Sequence, residues 1–265
     1  MLPHSYLFVP GDRPERFAKA MASGADSVIV DLEDAVAPVA KERAREALTA
    51  WLDDGGGPVV VRINDATSPE FAADLIVVAR VGVAGVMVSK TERAEDLARV
   101  RAAAPNAALL PLIETAAGLD RLREIASTPG VQRLVFGSID LQVDLGIEGD
   151  GDELLLFHSQ LVLASRLASL AAPVDGVSTA LDDFEALTSK AQRARRLGFG
   201  AKLCIHPRQV APVNSAFAPS GAEIAWALRV IEASRAASGT AMAVDGRMVD
   251  RPVLLQAQAL LARRR

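Results

Sequence analysis

The stretch Ala108–Gly146 decides the fold: Ala108–Gly118 reads ALLPLIETAAG, Arg133–Gly146 reads RLVFGSIDLQVDLG, and a short helical run joins them. Each apolar run is bounded by turn signals and closes on a carboxylate, Glu114 in the first and Asp140 in the second. Short runs of this kind are buried-strand candidates. A strand covered on both faces belongs to a parallel sheet flanked by helices. An acid at the end of such a strand is costly unless something uses it. If both strand ends open onto one face, the pair can hold a hard divalent cation, most naturally Mg²⁺, with substrate oxygens and water completing its octahedron. Taken singly, Glu114 equally suits the cap of the next helix and Asp140 the cap of a turn.

Working outward, apolar strand-like runs alternate with helical patterns. Strands are expected over Ser5–Pro10, Ser27–Leu32, Pro58–Asn64 and Gly85–Ser89, and after the opening pair over Pro173–Val177 and Ala201–His206. Helices are expected over Arg13–Ser23, Val39–Leu52, from Ser68-Pro69 onward, and over Arg93–Ala104, Glu153–Leu170 and Leu181–Leu197. Gly198 suits a left-handed C-cap for the last of these. Eight strand–helix pairs with short connections predict an α/β fold of the closed (β/α)8, or TIM, barrel type over residues 1–215. No GxGxxG follows the first strand, which argues against a dinucleotide-binding sheet. Residues 216–265 carry helices over Ala222–Ala237 and Val253–Ala262, separated by the looser stretch SGTAMAVDGRMVDRP. This tail is too small for an independent domain, and it is expected to be a C-terminal helical extension or lid that packs on the barrel or contacts a neighbouring subunit.

The composition is globular, with 50% hydrophobic and 23% charged residues in a chain of 265. A net charge of −4 shows no basic surplus for nucleic acid and no acidic tail. The one cysteine, Cys204, excludes an internal disulfide framework and lies in an apolar run. The segment MLPHSYLFVPGD has no charged region ahead of a long apolar stretch, and no membrane-length apolar run is present. A cytoplasmic protein without membrane or nucleic-acid partners is therefore expected.

In such barrels the active site gathers at the C-terminal strand ends. The residues there are Asp12 and Arg13 after Pro10-Gly11, then Asp31, Glu33 and Asp34, Arg62 with Asn64, Lys90, Glu114, Asp140, Asp175, and Lys202 with His206. Each alone is readable as a cap or a surface ion pair, but a charged group on every strand end favours a site. Asp31, Glu33 and Asp34 can orient waters around a metal. Arg62 can pair with a substrate carboxylate or a developing oxyanion; it can equally be the partner of Glu33 or Asp34. A metal holding a 2-oxo acid polarises its carbonyl for making or breaking a carbon–carbon bond. Lys90 and Lys202 remain candidates for Schiff-base chemistry, which a metal site makes unnecessary. His4, His158 and His206 are too scattered for a metal motif, and His206 is expected to hydrogen-bond locally.

Seven segments carry a family resemblance: LFVPGDRPERFAKA (Leu7–Ala20), GADSVIVDLEDAVAP (Gly24–Pro38), VVRIN (Val60–Asn64), LIETAAGL (Leu112–Leu119), FGSIDLQVDLG (Phe136–Gly146), GFGAKLCIHPRQV (Gly198–Val210) and DGRMVDRP (Asp245–Pro252). In this order they resemble the citrate lyase β-subunit-like proteins of the HpcH/HpaI aldolase superfamily, which includes the malyl-CoA and citramalyl-CoA lyases. The resemblance implies a TIM barrel, Mg²⁺ on Glu114 and Asp140, Arg62 on the 2-oxo-acid part, and Glu33 and Asp34 near the metal waters. It places Arg13, Arg16 and Lys19 where relatives meet the CoA phosphates; on their own they read as an exposed amphipathic helix. It also matches Asp250 to a general base supplied by an adjacent subunit, so that a homotrimer or dimer of trimers is implied. Without it Asp250 reads as an N-cap ahead of Pro252. One departure is Ser89, where many relatives have proline before the lysine.

The implied function is a Mg²⁺-dependent carbon–carbon lyase acting on a short 3-hydroxyacyl-CoA thioester and yielding an acyl-CoA and a 2-oxo acid. The alternatives are a β subunit acting on an acyl-carrier-bound citryl thioester, a free 2-oxo-acid aldolase, and a catalytically silent barrel that only binds.

Overall fold

The computed structural model describes residues 2–236 and 242–262. They form two compact units, Met1–Asn214 and Ser215–Arg265.

In the first unit eight parallel strands close into a barrel in sequence order. The first four are β1 (Ser5–Pro10), β2 (Ser27–Asp31), β3 (Val59–Ile63) and β4 (Val83–Val88). Then come β5 (Ala108–Ile113), β6 (Val135–Phe136), β7 (Val174–Asp175) and β8 (Ala201–Cys204), and β8 pairs back onto β1. The helices begin with α1 (Phe17–Met21), α2 (Lys41–Asp53), α3 (Phe71–Val78) and α4 (Ala94–Ala103). They continue with α5 (Ala116–Asp120), α6 (Leu122–Ala126), α7 (Ser138–Leu145), α8 (Leu155–Leu167) and α9 (Phe184–Leu197). A tenth, α10 (Val210–Phe217), follows the last strand. The expected TIM barrel is thus present, and Gly198 caps α9 in the left-handed region.

Strand alternation explains where the charged residues go. Tyr6, Ile29, Val60, Met87, Leu110, Leu112, Val135, Val174, Ala201 and Leu203 form one buried cluster inside the barrel. Residues two apart on a strand share a face. The inward face therefore continues from Ile29 to Asp31, from Val60 to Arg62 and from Leu112 to Glu114. Because Val174 and Ala201 point inward, Asp175 and Lys202, one residue further on, face the helices.

The structure corrects the expected elements at several places. Asp140 does not end a strand: β6 stops at Phe136, and Asp140 lies in the first turn of α7. The helix expected over Arg13–Ser23 is a single 3-10 turn at Pro14–Arg16 followed by α1, so Arg13 and Arg16 precede the helix and only Lys19 lies on it. The seventh and eighth strands end at Asp175 and Cys204, shorter than expected.

The second unit holds α11 (Gly221–Ala236) and α12 (Arg251–Ala262). The stretch expected to be loose contains an antiparallel hairpin of β9 (Met242–Val244) and β10 (Arg247–Val249); residues 238–241 lie outside the described residues. Asp245 and Gly246 at its turn have φ 50° and 74°, the pair of positive values that a two-residue type I′ turn requires. Ala227, Val230, Val244, Val249 and Ala257 make this unit's core. Among the described residues no helix is long and apolar enough to cross a membrane.

Candidate active site

The turn after β2 is built by Asp31. Its carboxylate accepts the backbone N–H of Glu33 (2.9 Å) and of Ala35 (3.0 Å), which folds the Leu32–Ala35 segment back over the strand end. The same carboxylate takes Arg62 Nε at 2.7 Å and Nη2 at 2.6 Å, a two-pronged pair made possible because Asp31 and Arg62 are in register on adjacent strands. With four hydrogen bonds accepted from the chain, Asp31 is a builder of the site rather than an orienter of waters. Glu33 lies buried beside it, with Oε2 3.0 Å from Arg62 Nη1 and Oε1 2.9 Å from Lys90 Nζ. Burial pushes the Glu33 carboxyl above its ordinary range against the pull of Arg62 and Lys90. Asp34 is exposed, 4.0 Å from Arg62 Nη1.

Arg62 stacks over the Phe8 ring at 4.8 Å. A guanidinium carries five N–H donors. Asp31 takes two of them, on Nε and Nη2, while Nη1 stands 3.0 Å from Glu33 Oε2 as an ion pair, so Nη2 keeps one N–H for a further acceptor. Burial opposes its charge, but Asp31, Glu33 and Glu114 outweigh that and raise its pKa. Arg62 is thus the ion-pair partner of Asp31 and Glu33, with N–H groups on Nη1 and Nη2 that Asp31 does not take.

Glu114 is 3% exposed. Its Oε1 accepts the backbone N–H of Lys90 at 2.8 Å. Burial, with Asp140 adding to it, pushes the Glu114 carboxyl up to about 8 against the opposing Lys90 N–H, Arg62 and Lys90 ammonium. Gly137 makes room for it, since a Cβ there would sit 2.4 Å from Glu114 Oε2. Asp140 approaches from α7, which is tied down by the Ala116 N–H donating to Asp144 at 2.7 Å and by buried Leu141. Lys90 Nζ lies 3.9 Å from Asp140 Oδ1. Lys90 itself has φ 42°, a left-handed conformation that costs a residue bearing a Cβ roughly 1–2 kcal/mol.

Arg62, Glu114 and Asp140 line one cavity whose floor is Phe8, Leu112, Phe136 and Leu203. Among the described residues no three His, Cys, Asp or Glu side chains converge as a ready ligand set. The residues nevertheless fit a hard divalent cation. Such an ion takes one or two carboxylates and fills its remaining positions with water and substrate oxygens, and around this cavity the five carboxylates of Asp31, Glu33, Asp34, Glu114 and Asp140 outnumber the two cations, Arg62 and Lys90. A carboxyl as reluctant to ionise as Glu114 gains most from a positive charge beside it.

Other rim candidates serve the scaffold. Asp175 and Lys202 pair at 2.7 Å between the sheet and the helices. His158 spans Leu154 O (2.9 Å) and Asp175 (3.1 Å) between the rings of Phe136 and Phe199. Burial opposes ionisation of Asp175, but Lys202 and His158 prevail and hold it at about 2. Lys202, so engaged, is no Schiff-base nucleophile. His206 accepts the Arg208 N–H at 3.1 Å, a local bond as expected, and burial pushes the Cys204 thiol up to about 12. Arg13, Arg16 and Lys19 are exposed near the end of β1 and do not line the cavity. In the second unit, Asp250 caps α12 by accepting the Val253 N–H at 3.3 Å.

One contributor was not singled out in the sequence. Lys41, buried at the start of α2, donates to Leu32 O (2.7 Å), Glu33 O (2.7 Å) and Asn64 Oδ1 (2.8 Å), clamping the turn that presents Glu33. Its signal was available: a cation in the first turn of a helix opposes the helix dipole and so needs another reason to be there.

Comparison with known proteins bears out the fold and gives the family. The family model described as HpcH/HpaI aldolase/citrate lyase matches residues 4–207. A citrate lyase subunit beta-like protein of Deinococcus radiodurans is 38% identical over 98% of this chain and 97% of its own. A (3S)-malyl-CoA thioesterase of Cereibacter sphaeroides is 36% identical over 98% of this chain and 93% of its own. The crystal structure of the protein CitE from Mycobacterium tuberculosis, in complex with magnesium, acetoacetate and coenzyme A, superposes with a TM-score of 0.87 at 38% identity, covering 98% of this chain and 97% of that one. With the family model spanning the barrel and these relatives spanning nearly the whole chain, the protein belongs to the HpcH/HpaI aldolase/citrate lyase family of carbon–carbon lyases.

Proposed function

We propose that the protein is a Mg²⁺-dependent lyase that cleaves, or in reverse forms, a short 3-hydroxyacyl-CoA thioester such as malyl-, citramalyl- or citryl-CoA, giving an acyl-CoA and a 2-oxo acid. The observation that carries this reading is the juxtaposition of Glu114 and Asp140 with Arg62, whose guanidinium Asp31 only partly occupies, in one cavity. Magnesium, a short oxo acid and coenzyme A bound to the related CitE, and the thioester substrate named for the Cereibacter relative, support it.

Glu114 and Asp140 hold the ion. Bound there, Mg²⁺ supplies Lewis-acid polarisation of the oxo-acid carbonyl. Arg62 pairs N–H groups that Asp31 leaves free with the oxo-acid carboxylate and stabilises the oxygen that bears charge. In the cleavage direction Asp250, supplied by a neighbouring copy in a homotrimer or dimer of trimers, takes the proton from the 3-hydroxyl. The C2–C3 bond then breaks, its electron pair stays with the thioester as an enolate, and the former hydroxyl oxygen becomes the oxo group of the acid. Protonation at C2 completes the acyl-CoA. Glu33 and Asp34 order water at the cavity edge, and Arg13, Arg16 and Lys19 meet the CoA phosphates.

The test is a screen of purified protein with CoA thioesters, with and without Mg²⁺, reading release of glyoxylate, pyruvate or oxaloacetate. Release that needs Mg²⁺ and is abolished in Glu114→Ala is expected; unchanged release by Glu114→Ala would overturn the reading. Turnover of a free CoA thioester by the isolated chain separates this function from that of a carrier-dependent β subunit.

A further inference from the structure

Lys90 departs from the pattern that delivers the other cavity residues. The inward positions at the end of β4 are Met87 and, two residues on, Ser89, whose buried hydroxyl has no hydrogen-bond partner. Lys90 is one residue out of step and would face the helices in an extended strand. Its φ of 42° turns the chain out of that path, into a conformation that a side chain with a Cβ adopts only where surrounding contacts enforce it. Two contacts follow from this one backbone choice. The Lys90 N–H donates to Glu114 Oε1 at 2.8 Å, and the ammonium donates to Glu33 Oε1 at 2.9 Å while standing 3.9 Å from Asp140 Oδ1. A single residue thus touches three of the acids around the cavity.

We infer that Lys90 is a positioning residue with two separable duties. Its backbone amide aims Glu114 at the cation, and its ammonium restrains Glu33 so that the cation takes Glu114 and Asp140 as its only carboxylates. Glu33 is otherwise held by Arg62 Nη1 and by the Asp34 N–H, both on its other oxygen. Without the ammonium, Oε1 of Glu33 is an unclaimed anionic oxygen near the ion that Glu114 and Asp140 would hold, since the same ammonium stands 3.9 Å from Asp140 Oδ1. A third carboxylate on that ion binds it more tightly and lowers its power to polarise a carbonyl, because each anionic ligand cancels part of its charge. Affinity for the metal and turnover are therefore set against each other at Lys90. A lysine that only supported the fold would, when removed, weaken both together.

This inference rests on the proposed function, and the experiment separates the two. Mg²⁺ affinity is measured by isothermal titration calorimetry without thioester, beside kcat and KM for oxo-acid release, in wild type, Lys90→Gly, Lys90→Arg and Lys90→Val. Glycine keeps the left-handed backbone and the amide and deletes the ammonium: Mg²⁺ should bind roughly threefold to tenfold tighter while kcat falls at least about tenfold, the size expected for one charge near a metal. Arginine keeps a cation and should restore affinity toward wild type. Valine disfavours the left-handed backbone and should bind Mg²⁺ more weakly than glycine does. Equal or weaker Mg²⁺ binding by Lys90→Gly overturns the restraint of Glu33, and equal affinity in the glycine and valine variants overturns the duty of the amide. Wild-type protein that binds no Mg²⁺ overturns the proposed function and this inference with it.

Discussion

Asp31 and Arg62, in register on neighbouring strands, are joined by two parallel hydrogen bonds of 2.7 and 2.6 Å, and the same carboxylate closes the turn that carries Glu33. Removing one partner of a buried pair leaves the other charge uncompensated, a loss of roughly 3–5 kcal/mol. Asp31→Ala should lower unfolding stability by that order in urea titrations. Arg62→Lys should retain most of the stability yet cut oxo-acid release by about a hundredfold or more, because an ammonium cannot present two parallel donors. Near-wild-type turnover in Arg62→Lys would remove the fork from the mechanism.

Glu114 gives the metal-free protein a pH signature. Its folded pKa, about 8, is raised from 4.5, so the folded state holds a proton that the unfolded chain releases. Stability linked to this group is full below about 4.5 and is lost as pH rises through 8. Wild type without metal should therefore weaken between those values relative to Glu114→Gln, which has no proton to lose. Thermal melts of the two proteins across pH 5–9 with chelator present should diverge toward alkaline pH. Added Mg²⁺ should recover the wild type at pH 8, since cation and proton compete for one carboxylate.

Gly137 gives a steric test of the metal pair. An added Cβ would meet Glu114 Cβ and Oε2 at 2.4 Å, closer than atoms pack. Gly137→Ala should displace the carboxylate, weaken Mg²⁺ binding in calorimetry by about tenfold and leave the far-ultraviolet circular dichroism unchanged. Undiminished affinity would mean that Glu114 does not hold the ion.

Asp175 and Lys202 should behave as scaffold. Lys202→Met strips a buried carboxylate of its main counter-charge and should cost roughly 3–5 kcal/mol without altering Mg²⁺ affinity of the folded protein. Because the Asp175 pKa is depressed to about 2 from 3.8, the stability it contributes is full above 3.8 and disappears as pH falls through 2. The gap between wild type and Lys202→Met should shrink accordingly in acid denaturation. A loss of metal binding in Lys202→Met would instead connect this pair to the site.

The barrel was legible because a strand buried on both faces must be apolar along its whole length, and the runs at Ser5–Pro10 and Ala108–Ile113 have that character. Glu114 was readable as the carboxylate that closes such a run, while its inward aim follows from the buried Leu110 and Leu112 of the folded strand. Asp140 was misplaced because Ile139, Leu141, Val143 and Leu145 alternate with polar residues at the two-residue period of a strand, although the Gly137-Ser138 break and the terminal Gly146 suit a helix. The charges at Asp175 and Lys202 looked like rim groups because sequence shows which residue ends a strand and not which face it takes. The hairpin escaped notice although Asp245-Gly246 between two short apolar runs is a strong turn signal. The role of Lys90 depends on a left-handed backbone that sequence does not show, and that of Lys41 on carbonyl acceptors, toward which only its misfit in a first helical turn pointed.

The entry of Asp140 from a helix has its own outcome for diversification. One jaw of the vice is anchored in the barrel wall, whereas the other rides on an eight-residue helix packed beside α5. Substitutions along the buried side of that helix can retune the gap between the jaws, and with it the size of the oxo acid admitted, without disturbing a single strand.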